Sequence, residues 1–346
     1  MLENIVKRIL SSSVYDVAVE SPLERMNRLS TRIGRDIVLK REDEQEVFSF
    51  KIRGAYNKMS RLSEEERERG VVASSAGNHA QGVALAAQRL GIKATIVMPI
   101  TTPPIKVDAV KARKAKVVQH GDGYDDAYAK AAELMEKKGM TFIHPFDDND
   151  VIAGQGTVGM EIMRQCTQNP EAIFVPVGGG GLIAGVAAYV KYLNPKVKVI
   201  GVEPDDAPTL HAAKEKGRRV KLPQVGIFAD GVAVRQIGKH TFKIAKDYVD
   251  EVILVNSDEI CAAIKDIFED TRTVTEPAGA LAVAGAKRYA ARGNKITGKL
   301  VAISSGANMN FDRLRYVAER AELGEQREAL LAVTIAEKPG SFLEFC

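Results

Sequence analysis

The sequence predicts an α/β protein of two units, each a mostly parallel twisted sheet, with the functional cleft between them. Three observations predict it. Strand and helix patterns alternate over 71–145, the same alternation restarts after Pro145, and turns rich in glycine or small polar residues join strand to helix at 75–78 and 178–181. Strands separated by helix-length patterns need crossover connections, and crossovers give parallel sheets.

Taken in order, Ile52, Ala55, Tyr56, Met59 and Leu62 recur at helical spacing, so a helix begins beside Lys51. Ser63 caps the mixed-charge run 64–69, a solvated helix start. A strand over 71–74 turns into a helix over 79–90, which Gly91 closes at the C′ position. The strand 93–98 stops at Pro99, and Pro104 opens the next helix. A strand over 116–119, a helix over 124–138 ended by Gly139, and a strand over 140–144 complete a βαβαβαβ unit. Beyond it come a helix over 151–166, a strand over 172–177, and a helix beginning at Leu182. Strands over 198–202, 252–255 and 300–304 follow, with a helix over 257–270. In the tail, 331–335 reads as a strand and 338–341 as a turn and helix cap, before an apolar pattern that stops at Cys346. So short an element cannot bury itself, which predicts that a further C-terminal module is missing.

Composition excludes several classes. The 346 residues, 45% hydrophobic, are enough for one or two sizeable cores. The net charge of +4, from 49 basic and 45 acidic residues, is well mixed, and no basic face interleaved with aromatics suggests nucleic acid. No apolar run has membrane-spanning length, and residues 1–10 read as a short amphipathic stretch rather than a signal peptide. Cys166, Cys261 and Cys346 form no pair motif, and the five histidines show no ligand spacing. The expectation is a cytosolic globular protein without disulfides, zinc or membrane contact.

Gly178-Gly179-Gly180-Gly181 offers backbone N–H groups at a helix start, which suits a phosphate. The spacing matches neither G-x-G-x-x-G nor a P-loop, so a small phosphorylated cofactor or a merely flexible turn are the two readings. Lys51, between Phe50 and Ile52, lies at a helix N-terminus, where its positive charge is unfavourable and its pKa should fall. A neutral amine of this kind suits Schiff-base chemistry, and a surface lysine is the alternative. Ser75-Ala76-Gly77-Asn78-His79 could bind a carboxylate at a second helix start or simply cap it. In Ser304-Ser305-Gly306-Ala307-Asn308, a hydroxyl could meet a ring nitrogen or shape a turn. A phosphate cup, a lysine, a carboxylate loop and a ring-nitrogen partner are together what a pyridoxal phosphate enzyme acting on an amino acid needs.

These motifs, in this order and over nearly the whole chain, resemble fold-type II pyridoxal phosphate enzymes, similar in fold to the tryptophan synthase β subunit. They most resemble the biosynthetic threonine dehydratases, also called threonine deaminases or ammonia-lyases. The resemblance implies that Lys51 carries the cofactor, beside Phe50. It implies that Asn78 meets the ring hydroxyl, that Gly178, Gly179, Gly180, Gly181 and Leu182 hold the phosphate, and that Ser305 faces the pyridine nitrogen. Ser75, Ala76, Gly77, Asn78 and His79 would grip the substrate carboxylate. The reaction implied is deaminating dehydration of L-threonine to 2-oxobutanoate and ammonia, the first step of isoleucine biosynthesis, with L-serine as a slower substrate. A cytoplasmic homotetramer or homodimer is also implied. The expected division is a large unit over 1–60 and 146–320, a small one over 61–145, and a connector over 321–346 opening a regulatory ACT-like domain for isoleucine and valine. Related serine racemases carry a second serine where this chain has Ala76, which favours elimination alone. Some relatives hold a divalent cation near the positions of Glu203 and Ala207. Rivals are serine racemase and cysteine synthase within the fold, and a non-catalytic amino-acid sensor outside it.

Overall fold

The computed structural model describes residues 2–293, 298–325, 333–335 and 337–345. Its strands are β1 (Leu23–Arg25), β2 (Ile37–Arg41), β3 (Val71–Ser74), β4 (Ala94–Met98), β5 (Lys116–Gln119), β6 (Thr141–Phe142), β7 (Ala172–Pro176), β8 (Lys198–Pro204), β9 (Glu251–Val255) and β10 (Leu300–Ser304). A four-stranded sheet has the order β5-β4-β3-β6 and is parallel throughout. A six-stranded sheet has the order β1-β2-β10-β7-β8-β9, and only its edge strand β1 runs antiparallel.

In the six-stranded sheet, successive residues feed opposite cores, as the two-residue repeat of a strand requires. Leu39, Phe174, Ile200 and Ala302 pack on one face with the helices Ser257–Thr271 and Pro277–Ala290. Val38, Ile173, Val199 and Val301 pack on the other, with Asn149–Gln165, Gly181–Leu193 and Lys239–Tyr248. The four-stranded sheet has its own core of Val71, Ala73, Ile96 and Met98, and it shares that core with Ile52, Ala55 and Met59 of the helix Lys51–Ser60.

The helix and strand expectations over 71–138 hold to within a residue. Two expectations change. The strand expected over 140–144 pairs only at Thr141 and Phe142, because His144 turns its ring back to accept N–H bonds from Phe146 and Asp147, a geometry that ends a strand. In the tail, Val333–Ile335 form no strand, while 331, 332 and Cys346 lie outside the described residues. The turn expected at 338–341 does lead into a short helix, Ser341–Phe345. Among the described residues no helix is long and apolar enough to cross a membrane.

Candidate active site

Three neighbouring parallel strands, β2, β10 and β7, deliver the candidate residues at their carboxyl ends, where open α/β sheets bind ligands. After β10, Ser305 O accepts from Phe50 N (3.2 Å), and Phe48 O accepts from Ala307 N (2.9 Å). These bonds tie the segment before Lys51 to the 305–307 loop. Lys51 is the first residue of its helix. Its Nζ donates to Pro145 O at 3.1 Å and lies 5.2 Å from the centre of the Phe50 ring. Burial pulls its pKa down from 10.5 to about 8, against a small opposing pull from the Glu276 carboxylate. The direction is the one expected from the helix start, but burial is the leading cause.

After β7, the tetraglycine is packed from behind. A Cβ on Gly178 would fall 2.9 Å from Val232, and one on Gly179 would fall 2.2 Å from the Phe146 ring. Gly180 has φ +90°, a conformation that favours glycine. Gly178 O accepts from Thr209 Oγ1 (3.1 Å), and Gly179 O from Thr241 Oγ1 (2.8 Å). In a trans peptide the N–H of the next residue points opposite to the carbonyl. The amides of Gly179 and Gly180 therefore face away from those threonines. Gly180 N-caps the helix Gly181–Leu193 without a side-chain bond. Three other helix starts on this sheet are closed by carboxylates or an amide: Asp148 on Asn149–Gln165, Asp147 on Lys239–Tyr248, and Asn256 on Ser257–Thr271. Here the backbone donors are left for a ligand.

From the four-stranded sheet, β3 runs through Ser75, Ala76 and Gly77, all half-buried, into the helix Asn78–Leu90, which also has no side-chain cap. Asn78 Nδ2 donates to Glu276 Oε1, and Asn78 Oδ1 accepts from Asn308 Nδ2. The side chain of His79 does not join this loop. It is buried, its Nε2 lies 2.7 Å from Ile143 O, and burial pulls its pKa down to about 3. What His79 offers the cleft is its backbone N–H.

Sequence reading passed over the segment 144–147, although each of its residues shapes the site. His144 Nδ1 accepts from Phe146 N and Asp147 N, Pro145 O receives Lys51, Phe146 backs the tetraglycine, and Asp147 closes the helix Lys239–Tyr248. The available signal was a strand followed at once by Pro and two aspartates before a helix. Glu276 was also passed over. It is buried, and burial together with Asp230 pushes its carboxyl up to about 7.

At the positions of Glu203 and Ala207, where some relatives hold a cation, this chain has already committed its carboxylate. Glu203 is buried and already accepts from Thr209 Oγ1 (2.9 Å), Leu210 N (2.7 Å) and His211 N (2.9 Å), capping the helix Thr209–Glu215. Among the described residues no group of three acidic, histidine or cysteine side chains could hold a metal. A phosphorylated aldehyde does suit the cleft. It would find a backbone cradle held by glycines, a lysine amine with a lowered pKa, and the buried Ser305. Ser305 Oγ donates to Ala278 O only at a long 3.3 Å, a bond its rotatable hydroxyl can exchange for one to a ring nitrogen.

A family model described as "Pyridoxal-phosphate dependent enzyme" matches residues 15–306. The L-threonine dehydratase biosynthetic IlvA of Burkholderia multivorans is 57% identical over 99% of this chain and 68% of its own length. The chloroplastic biosynthetic threonine dehydratase of Arabidopsis thaliana is 58% identical over 98% of this chain and 57% of its own length. The chain thus spans between about half and two thirds of the relatives it matches. Among solved structures, the processed form of threonine deaminase isoform 2 from Solanum lycopersicum superposes with a TM-score of 0.91 at 52% identity, covering 93% of this chain and 88% of that one. Maize serine racemase superposes with a TM-score of 0.85 at 31% identity, covering 94% and 99%.

Proposed function

We propose, from the premise that the chain belongs to the pyridoxal-phosphate dependent enzymes, that it deaminates L-threonine by dehydration and rehydration to 2-oxobutanoate, with ammonia the net product released. This is the reaction named for its biosynthetic relatives. One observation carries the reading: Lys51 Nζ, with a pKa of about 8, lies on the carbonyl of Pro145, and the next residue, Phe146, backs the tetraglycine cradle. An amine and an anion site are thus neighbours in one cleft.

Bound there, pyridoxal phosphate would supply an electrophilic carbon for the amino group and a ring that accepts the electron pair left at the α-carbon. The chain's own residues do the rest. Gly179, Gly180 and Gly181 hold the phosphate by backbone N–H groups, and Leu182 continues the helix whose dipole favours it. The backbone N–H groups of Asn78 and His79, at the uncapped helix start, would receive the substrate carboxylate, which orients the Cα–H bond. Lys51, neutral for much of the time near pH 8, takes the α-proton at Nζ. The protonated Lys51 Nζ can hand that proton to the β-hydroxyl, which leaves as water, and hydrolysis of the released enamine yields the 2-oxo acid and ammonium. Ser305 would meet the ring nitrogen with a hydroxyl instead of a carboxylate, a partner that does not hold a proton on that nitrogen. Prompt loss of the β-hydroxyl then competes well with reprotonation.

The loaded chain should release 2-oxobutanoate from L-threonine and, more slowly, pyruvate from L-serine. The missing methyl is worth only ~1–3 kcal/mol of discrimination. A cofactor-loaded chain that forms no 2-oxo acid overturns the reading. The likeness to serine racemase supports a second reading, but Ala76 lacks the hydroxyl that racemisation would use from the opposite face. Chiral analysis of recovered serine should find no D-isomer. The reading extends to a cytoplasmic homotetramer or homodimer in isoleucine biosynthesis. It is consistent with free Cys166 and Cys261, and light scattering of the purified chain tests the assembly.

A further inference from the structure

Glu276 stands at the N-cap position of the helix Pro277–Ala290 but does not cap it. Its side chain reaches instead to the start of the Asn78 helix, where Oε1 accepts a 2.5 Å hydrogen bond from Asn78 Nδ2. The carboxylate is buried in a slot made by two glycines. A Cβ on Gly306 would fall 2.5 Å from Oε1, and one on Gly231 would fall 3.7 Å away. On the other side of the same carboxamide, Asn308 Nδ2 donates to Asn78 Oδ1 (2.6 Å) and to Val47 O (2.9 Å).

The chemistry of these groups fixes the orientation of each amide. A backbone carbonyl only accepts, and so does Glu276 when ionised. Asn308 must therefore turn its NH₂ to Val47 O, which also puts a donor against Asn78. Asn78 must answer with its oxygen and give its nitrogen to Glu276. Both ends of the carboxamide are assigned, and the second N–H on Asn78 Nδ2 is the one these bonds leave for a ligand.

The geometry points to Glu276 as a positioning residue: with Asn308 opposite, it locks the Asn78 carboxamide so that it meets the bound cofactor as a donor and never as an acceptor. The inference rests on the functional reading above. A donor at the cofactor's phenolic oxygen stabilises that oxygen without its proton and so keeps the shared proton on the Lys51 nitrogen. Glu276→Gln keeps the shape of the side chain but can donate as well as accept, so one of the two grips on the Asn78 amide no longer selects its orientation. Asn308→Ala removes the opposite grip and leaves Glu276 in place.

The test uses the full chain loaded with pyridoxal phosphate. It compares the visible absorption of E276Q and N308A with that of the parent, reading the ratio of the long-wavelength band (proton on nitrogen) to the short-wavelength band (proton on oxygen). Both variants should take up cofactor in equal proportion to chain, with the ratio lowered at least about twofold. With threonine, E276Q should lose about tenfold or more in kcat while KM changes by less than about threefold, as expected when a reacting geometry is loosened. An unchanged band ratio in both variants overturns the inference, as does lost activity at an unchanged ratio. If E276Q does not fold, the ratio in N308A decides alone. Failure of the parent chain to take up cofactor would sink the functional reading itself, a distinguishable result.

Discussion

Lys51 and Arg53 stand two residues apart on the helix Lys51–Ser60, turned roughly 200° from one another because each residue advances a helix by about 100°. Arg53 is fully buried and held at four points by two carboxylates: Nε and Nη2 reach Glu42 at 2.7 and 2.8 Å, and Nη1 and Nη2 reach Glu161 at 2.5 and 3.0 Å. Lys40, also fully buried, adds a 2.6 Å contact to Glu161 and makes the four charges neutral as a set. Lys51 has one backbone carbonyl and no ion pair among the described residues. The carboxylates raise the pKa of Arg53 despite its burial, while burial lowers that of Lys51. Arg53 is held charged by the carboxylates supplied to it, and Lys51 is kept reactive by their absence.

The largest effect should follow from removing the unpaired amine. Lys51→Ala should cost at least about 10³-fold in turnover, the weight of a lost base and covalent anchor, and should abolish the visible band of the loaded enzyme. Retained turnover would place the chemistry elsewhere. A sharper form uses pH. Between about 8 and the ordinary lysine value of 10.5, the folded chain holds fewer protons on Lys51 than the unfolded chain does, so this residue makes the cofactor-free protein more stable as pH rises through that window. Over the same rise the neutral amine becomes the main form. The rate of cofactor attachment, followed by visible absorption, should therefore climb through pH 8 and level off. A rate still climbing at pH 10 would show an ordinary lysine and erase the contrast with Arg53.

The paired side of the comparison breaks differently. Glu161→Gln leaves Arg53 and Lys40 facing Glu42 alone, and an uncompensated buried charge costs about 3–5 kcal/mol. For a protein of this size that is on the order of 10 °C in Tm. Lys40→Met added to Glu161→Gln restores neutrality and should recover more than half of the loss in a thermal melt. If the double variant melts no higher than the single, charge balance is not what holds this network.

The same contrast explains what could be read in the sequence. Lys51 was legible because its setting is local: two apolar neighbours, a helix start and a run of glycines elsewhere. Arg53 was not legible, because its partners stand 11 and 108 residues away and nothing in either neighbourhood signals the other. Glu276 was hidden in the same way, with Asn78 198 residues distant. The four-stranded unit was legible because its helices are amphipathic and end on glycine, as at Gly91 and Gly139. The helix Pro277–Ala290 is buried on nearly every side, so its small residues carry no stripe by which to recognise it. β2 escaped notice because it reads as a charged segment, Ile37-Val38-Leu39-Lys40-Arg41, whose cations find carboxylates only after folding.

Glu203 gives the comparison its third case, a buried charge answered by dipoles alone. Its donors are a hydroxyl and two backbone N–H groups, with no cation, and burial still pushes its pKa up from 4.5 to about 7. Neutral donors thus compensate less than the carboxylates around Arg53 do. A folded pKa above the unfolded one means that the native chain binds the proton more tightly between pH 4.5 and 7, so this group makes stability fall as pH rises through that window. Glu203→Gln should remove its share of the slope, about 2–3 kcal/mol, seen as Tm changing less between pH 5 and pH 8 than in the parent. At pH 5 the variant should melt lower, because its NH₂ faces the His211 N–H that the carboxylate accepts. That deficit should shrink toward pH 8, where the parent bears a full buried charge. An equal Tm difference at both values would mean that the helix cap compensates Glu203 as fully as an ion pair would, and that dipoles and counter-ions are interchangeable in this interior.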